Sequence, residues 1–276
     1  MKITSIIDNI SNNKSIKSEH GLSLLIELNK KKILFDTGAS DLLLDNARKL
    51  NIDLSDIDIL IISHGHYDHM GGIRSFFSIN NKAKVYIKRQ ACQKYYIKKQ
   101  FFYKYVSGDL SIFEEFKDRF IYIDNNTEII DNVYILTKIS EIDNCDYIKN
   151  SMYKLNSLTL VKDPLDHELL LVIKHNNDLT VITGCSHNGI INMVNEVKLY
   201  FPNQRIKNLI GGFHLKGLTK SNEKNIINHL TTKFKKYNIE KIYTCHCTSY
   251  KYYLKLKDIL NNQIEYLGIS DVVISD

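Results

Sequence analysis

A chain of 276 residues with 43% apolar and 25% charged residues is long enough to bury a large core, and its composition is neither disordered nor fibrous. The net charge of +6 comes from lysines interspersed with acidic residues, which weighs against nucleic acid as a partner; five cysteines are too sparse and too odd in number for a secreted disulfide scaffold. No run approaches the roughly 20 apolar residues of a membrane span, and Asp8 breaks the N-terminal apolar run too early for a signal peptide, so a cytoplasmic protein with no membrane partner is expected.

Strands are predicted at Ile3 to Ile7, Leu22 to Leu28 and Lys32 to Phe35, the last two forming a hairpin across a Lys-rich turn. Ser40 is expected to cap a helix carrying Leu43, Leu44, Ala47 and Leu50, and Ile57 to Ile62 reads as a buried strand running into His64. Gly71-Gly72 opens a helix with Ile73, Phe76 and Phe77, followed by a strand at Val85 to Ile87. The basic, aromatic stretch from Lys88 to Lys104 is expected to be an amphipathic helix with rings inward and lysines solvated, or else a clamp for an anionic or flat aromatic substrate. Ser111-Ile112-Phe113-Glu114 matches a capping box.

Further strands are predicted at Ile121 to Ile123, Val133 to Thr137, Glu168 to Lys174 and Leu179 to Thr183, the last pair joined by Asn176-Asn177-Asp178. From Gly189 the pattern is helix (Ile190 to Tyr200), strand (Ile206 to Ile210), helix (Ser221 to Tyr237), strand (Lys241 to Thr244), helix (Ser249 to Leu260) and a strand near Ile264. The second half thus repeats the first in outline. Two mixed β/α halves with helices outside the sheets imply an α+β four-layer αβ/βα sandwich, and neither proline lies in a linker-like segment, so residues 1–276 are expected to form one domain.

The chemistry gathers at strand ends. His64, His66, Asp68 and His69 place three imidazoles and one carboxylate within six residues, between a buried strand and a double glycine. Borderline metals favour such nitrogen and oxygen donors, and a rigid turn can aim alternate residues at two positions. His187 and His246 each stand at the polar exit of an apolar strand, where open mixed sheets place their sites.

The run Ser63-His64-Gly65-His66-Tyr67-Asp68-His69-Met70-Gly71-Gly72 resembles the His-x-His-x-Asp-His signature of the metallo-β-lactamase superfamily, and Phe35-Asp36-Thr37-Gly38 resembles its upstream Asp-Thr-Gly. Thr183-Gly184-Cys185-Ser186-His187-Asn188-Gly189-Ile190, Gly211-Gly212-Phe213-His214-Leu215 and Cys245-His246-Cys247-Thr248 are together similar to one subgroup. It contains synthases of a dihydropterin–ribofuranosylaminobenzene phosphate alongside hydrolases.

The resemblance implies the sandwich of the metallo-β-lactamase type and two divalent metal ions, zinc first, with iron or manganese as alternatives. It assigns His64, His66 and His187 to one metal and Asp68, His69 and His246 to the other. Asp36 and Cys185 would stand behind these ligands, and Asp68 and His214 would serve catalysis. The sequence departs from the family where a bridging Asp is usual, at Thr183-Gly184-Cys185; Cys185 is a ligand or a filler there, and Asp166, His167 and His175 are candidates to complete the site. Cys245 and Cys247 read as buried thiols.

The activity implied is hydrolysis of an ester, lactone, thioester or phosphodiester in a small, anionic molecule by metal-bound hydroxide. Alternatives are a synthase-like transfer joining a pterin to a phosphorylated substrate, or a metal-binding sensor without turnover.

Overall fold

The computed structural model describes residues 1–275. In chain order it contains β1 (Lys2–Ile7), β2 (Ser23–Leu28), β3 (Lys31–Phe35), α1 (Leu42–Lys49), β4 (Ile59–Ile61), α2 (Tyr67–Met70), α3 (Ile73–Ile79), β5 (Lys84–Ile87), β6 (Tyr95–Lys98), β7 (Tyr103–Tyr105), α4 (Ile112–Glu115) and β8 (Phe120–Tyr122). There follow β9 (Thr127–Ile130), β10 (Val133–Leu136), α5 (Asp146–Lys149), β11 (Met152–Asn156), β12 (Thr159–Lys162), β13 (Leu170–His175), β14 (Asp178–Thr183), α6 (Ile190–Tyr200), β15 (Arg205–Gly211), α7 (Glu223–Lys236), β16 (Lys241–Thr244), α8 (Tyr250–Leu260), β17 (Ile264–Tyr266) and β18 (Val272–Ile274). Among the described residues no helix is long and apolar enough to cross a membrane.

The chain divides into two compact units. The first comprises Met1–Asp124, Ser151–His167 and the C-terminal segment from Leu267; the second comprises Asn125–Asn150 and Glu168–Tyr266. The first unit holds a seven-stranded sheet in the order β18-β1-β2-β3-β4-β5-β8 and a four-stranded antiparallel sheet, β12-β11-β6-β7. In the larger sheet β18, β1, β2 and β3 pair antiparallel, whereas β3, β4, β5 and β8 run parallel. Its core packs Leu34, Leu60 and Val85 of the sheet with Leu43 of α1 and Phe76 of α3.

The second unit repeats this plan. Its sheet, β17-β16-β15-β14-β13-β10-β9, is antiparallel from β9 to β14 and parallel from β14 to β17. Val172, Val181 and Leu209 cluster with Ile190 and Val194 of α6 and Phe234 of α7. Strands buried on both faces read as continuous apolar runs, as β4 does, whereas β14 shows in the sequence by its pairing with β13 across the polar Asn176-Asn177-Asp178 turn.

Several expectations need correction. Lys88 to Lys104 is no helix: after a short turn at Arg89–Cys92 it forms the β6/β7 hairpin, closed by Lys99 N donating to Phe102 O at 2.7 Å. Tyr95 points inward and is fully buried while Tyr96 is half-buried, a period of two that suits aromatic residues with high strand propensity. The capping box at Ser111 does not form, because the Ser111 hydroxyl donates to Asp109 Oδ1 at 2.6 Å and the helix it heads is one turn long. Ser40 does accept a helix N–H, from Leu42 at 3.1 Å, although Asp41 occupies the cap position. Strands β9, β11, β12 and β18 went unread, each short and at or near a sheet edge, where burial imposes little pattern.

Candidate metal centre

In the first unit the carboxyl ends of β3 and β4 lie side by side, with Phe35 opposite Ile61. Asp36 leaves β3 with φ +60° and a fully buried side chain. Its Oδ1 accepts Ser63 N at 2.7 Å, and its Oδ2 accepts Ser63 Oγ at 2.7 Å and His69 Nδ1 at 2.6 Å. The Nδ1–H of His69 is thereby committed to a carboxylate, which leaves Nε2 as the nitrogen a metal could take.

The three loop imidazoles are packed together. The His64 ring lies 4.6 Å from that of His66 and 4.1 Å from that of His69, and His64 Nε2 is 3.0 Å from His66 Nδ1. Burial, reinforced by the neighbouring His167, pushes the His66 imidazole down to about 3, so it is neutral, as a metal ligand must be. Gly65 is required here by close approach, because a Cβ would lie 2.3 Å from Ala91 O. His69 Nε2 is 3.9 Å from Asp68 Oδ2.

Two more histidines join this loop within the same unit. His20 Nε2 is 3.2 Å from Asp68 Oδ2, with its side chain partly exposed. His167, fully buried, accepts Gly65 N at its Nδ1, holds Asp163 Oδ2 at 3.1 Å and stacks on Tyr95 at 3.9 Å. Asp166 is instead partly exposed and ion-paired with Lys154 at 3.5 Å. Nothing in the sequence marked His20, which reaches Asp68 only through the topology.

In the second unit three parallel strands, β14, β15 and β16, end together, with Ile182 opposite Ile210 and Gly211 opposite Thr244. Cys185 and His187 leave β14, His214 leaves β15, and His246 and Cys247 leave β16. The Glu168 carboxylate, almost fully buried, anchors the first of these exits by accepting His187 N at 2.8 Å, Asn188 N at 2.9 Å and Asn188 Nδ2 at 3.0 Å. Sequence reasoning took Glu168 only as a strand residue. His175 lies at the opposite end of these strands, paired with Asp178 beside the hairpin turn, and so is no candidate beside His187.

His214 sits in the left-handed region (φ 47°), its ring 4.4 Å from that of His187 and its N–H 3.3 Å from Cys247 Sγ. Donor atoms of Cys185, His214 and Cys247 all lie within 4.8 Å of one another. Burial raises the Cys247 thiol, but hydrogen bonds with Cys185 and His214 and the nearby His246 outweigh it and hold the group well below the ordinary thiol value. The buried His214 Nδ1 has no hydrogen-bond partner among the described residues. Each unit therefore presents a buried set of donors that borderline divalent metals take: imidazoles with a carboxylate in the first, imidazoles with thiols in the second.

A mixed sheet with the His-x-His-x-Asp-His loop at its carboxyl edge defines an α+β class with donors that could hold a metal, and comparison with known proteins gives the family. The model described as "Metallo-beta-lactamase superfamily" matches residues 18–143. The chain is 31% identical to Tm1679, a metal-dependent hydrolase of the beta-lactamase superfamily, with a TM-score of 0.83 and full coverage of both chains. It is 30% identical over 254 residues to the 7,8-dihydropterin-6-methyl-4-(beta-D-ribofuranosyl)-aminobenzene-5′-phosphate synthase of Methanocaldococcus jannaschii, covering 87% of this chain and 84% of that one. An uncharacterised protein of the same organism is 30% identical over 272 residues, covering 95% and 96%. The chain belongs to the metallo-β-lactamase superfamily and has its α+β fold.

Proposed function

We propose that the chain is a metal-dependent hydrolase of a small anionic ester, lactone, thioester or phosphodiester, with His64, His66, Asp68, His69, His187 and His246 as ligands of two divalent ions. The observation that carries this reading is the Asp36-oriented histidine loop: three imidazoles and a carboxylate buried at a strand edge have no role in packing that apolar residues would not fill better. When bound, such ions lower the pKa of water and polarise the oxygen under attack. Zinc suits the donors, with iron and manganese as alternatives.

The chain's own groups would then manage protons and charge. Asp68 Oδ2 would take a proton and pass it to His20, 3.2 Å away, whose partly exposed ring leads toward solvent. His214, beside His187 and less buried than it, would contact the substrate. The lowered thiol of Cys247 would help hold a cation nearby.

A second reading, the joining of a dihydropterin to a phosphorylated ribofuranosylaminobenzene, is favoured by the 30% identity to the Methanocaldococcus synthase. Plasma mass spectrometry of the purified protein, with an ester, lactone and phosphodiester screen and a pterin-coupling assay with and without chelator, separates the two. Chelator-sensitive hydrolysis supports the first; coupling without hydrolysis supports the second. Unchanged metal content in the His64→Ala/His66→Ala protein would sink both.

A further inference from the structure

The four-stranded sheet β12-β11-β6-β7 has one face turned to the first unit's core and one turned outward. The inner face carries Tyr95, stacked on His167, and buried Met152. Cross-strand partners share a face, and so do residues two apart along a strand. The register therefore places Tyr105, Tyr96, Tyr153 and Lys162 in one row across all four strands of the outer face. Tyr103, opposite Lys98, lies in the next row, and Lys94 lies two residues before Tyr96.

These rings are held against one another, with Tyr96 and Tyr153 half-buried and Tyr103 and Tyr105 exposed. Tyr96 and Tyr105 meet edge to face at 5.4 Å, Tyr103 and Tyr153 at 5.0 Å, and the Lys162 ammonium stands 4.4 Å from the Tyr153 centroid. Tyr103 is 40% and Tyr105 42% exposed. On the outer face Lys98 and Lys162 stand among these rings, Lys104 and Lys154 fall on the inner face opposite Ile97 and Tyr95, and residues 95–105 and 152–162 contain no Asp or Glu. Charge is interspersed along the chain as a whole but not on this sheet.

We propose that this outer face binds single-stranded nucleic acid, with bases stacked on the Tyr105-Tyr96-Tyr153 row and phosphates held by Lys94, Lys98 and Lys162. Adjacent strands stand about 4.8 Å apart, so the row spans roughly 10 Å, room for two or three unstacked bases. An acidic peptide would use the lysines but not the rings. A membrane would need the apolar tips on one side, yet exposed Phe101 and Phe102 lie at the β6/β7 turn and exposed Leu158 at the β11/β12 turn, at opposite ends of the antiparallel sheet. Duplex keeps its bases stacked away from such a surface.

The test is fluorescence anisotropy on the full chain with labelled oligo(dT) and oligo(U) of about 10 nucleotides, a length within single-strand site sizes. Chelator is present throughout, so that cleavage does not enter. Duplex, poly-glutamate and phosphatidylserine vesicles are the competing probes. The single strands bind, and Tyr96→Ala and Tyr153→Ala each weaken binding about tenfold, while Tyr96→Phe restores it. Lys98→Gln with Lys162→Gln lowers the salt slope by about 1.4. These lysines are exposed, so that pair remains informative if a tyrosine variant fails to fold. Absence of binding at low salt, tyrosine variants that bind as tightly as the parent, or tighter binding of poly-glutamate, vesicles or duplex than of single strands overturns the proposal.

Discussion

The Asp36 carboxylate and the His69 imidazole meet at 2.6 Å with both side chains fully shielded from solvent. The same carboxylate accepts the backbone and hydroxyl of Ser63, so one side chain sets the direction of the whole His64-to-His69 loop. Asp36→Asn keeps the volume but turns an N–H₂ toward groups that are themselves donors. The expected loss is about 3 kcal/mol of stability, in the range for hydrogen bonds to a buried charge. Metal affinity should fall roughly 10–100-fold. Denaturant unfolding and metal titration check the two numbers separately.

Glu168 does for the second unit what Asp36 does for the first. Its two oxygens accept three N–H groups around His187 and Asn188. In Glu168→Gln, whichever way the amide turns, it offers an N–H to an N–H. A destabilisation of about 1–3 kcal/mol is expected, with weaker metal retention if His187 is the ligand proposed above. A variant that melts like the parent and keeps its metal would remove Glu168 from the site's support.

Much of this architecture was legible in the sequence: burial on both faces of a central strand leaves an apolar run at Ile57 to Ile62, two residues before His64, and the polar Asn176-Asn177-Asp178 turn marks the β13/β14 hairpin whose exit carries His187. The His-x-His-x-Asp-His spacing carried the loop. Glu168 and His20 escaped because their importance lies in long-range contacts, Glu168 with a strand exit 19 residues on and His20 with Asp68 across the unit. The β6/β7 hairpin escaped for a different reason. Alternating lysines and aromatics fit both a helical stripe and a pleat, and only the inward Tyr95 on His167 decides between them.

At the start of α7, Glu223 is clamped between Lys251 and Lys255 of α8. Those two bonds hold its carboxyl down at about 2, below the ordinary 4.5. A depressed folded-state pKa contributes stability that is complete above the unfolded value and lost as pH falls through the folded one. The parent's advantage over Glu223→Gln should therefore be present above pH 4.5 and fade between 4.5 and about 2. It should also shrink with added salt, as exposed pairs do. Melting curves of both proteins across that window check it; parallel curves would mean the clamp contributes nothing.

The exit of β15 depends on a residue without a side chain. Gly211 has φ +140°, outside the range ordinary residues adopt, and a Cβ there would lie 2.3 Å from Thr183 Oγ1 and 2.4 Å from Thr183 O. The Thr183 backbone belongs to the neighbouring central strand β14 and has nowhere to move, since β14 is paired on both sides. Backbone strain and overpacking each cost about 1–3 kcal/mol, so Gly211→Ala should lose at least roughly 2 kcal/mol. Gly217, six residues on, is the control: its Cβ would meet only Tyr147 O, at an ordinary 3.7 Å, and Gly217→Ala should fold normally. Because Gly211 stands opposite Thr244, whose strand leads into the proposed ligand His246, the surviving folded fraction of Gly211→Ala should also show altered metal binding, whereas Gly217→Ala should not. Equal melting temperatures for the two variants would mean that the β14–β15 contact is looser than its geometry shows.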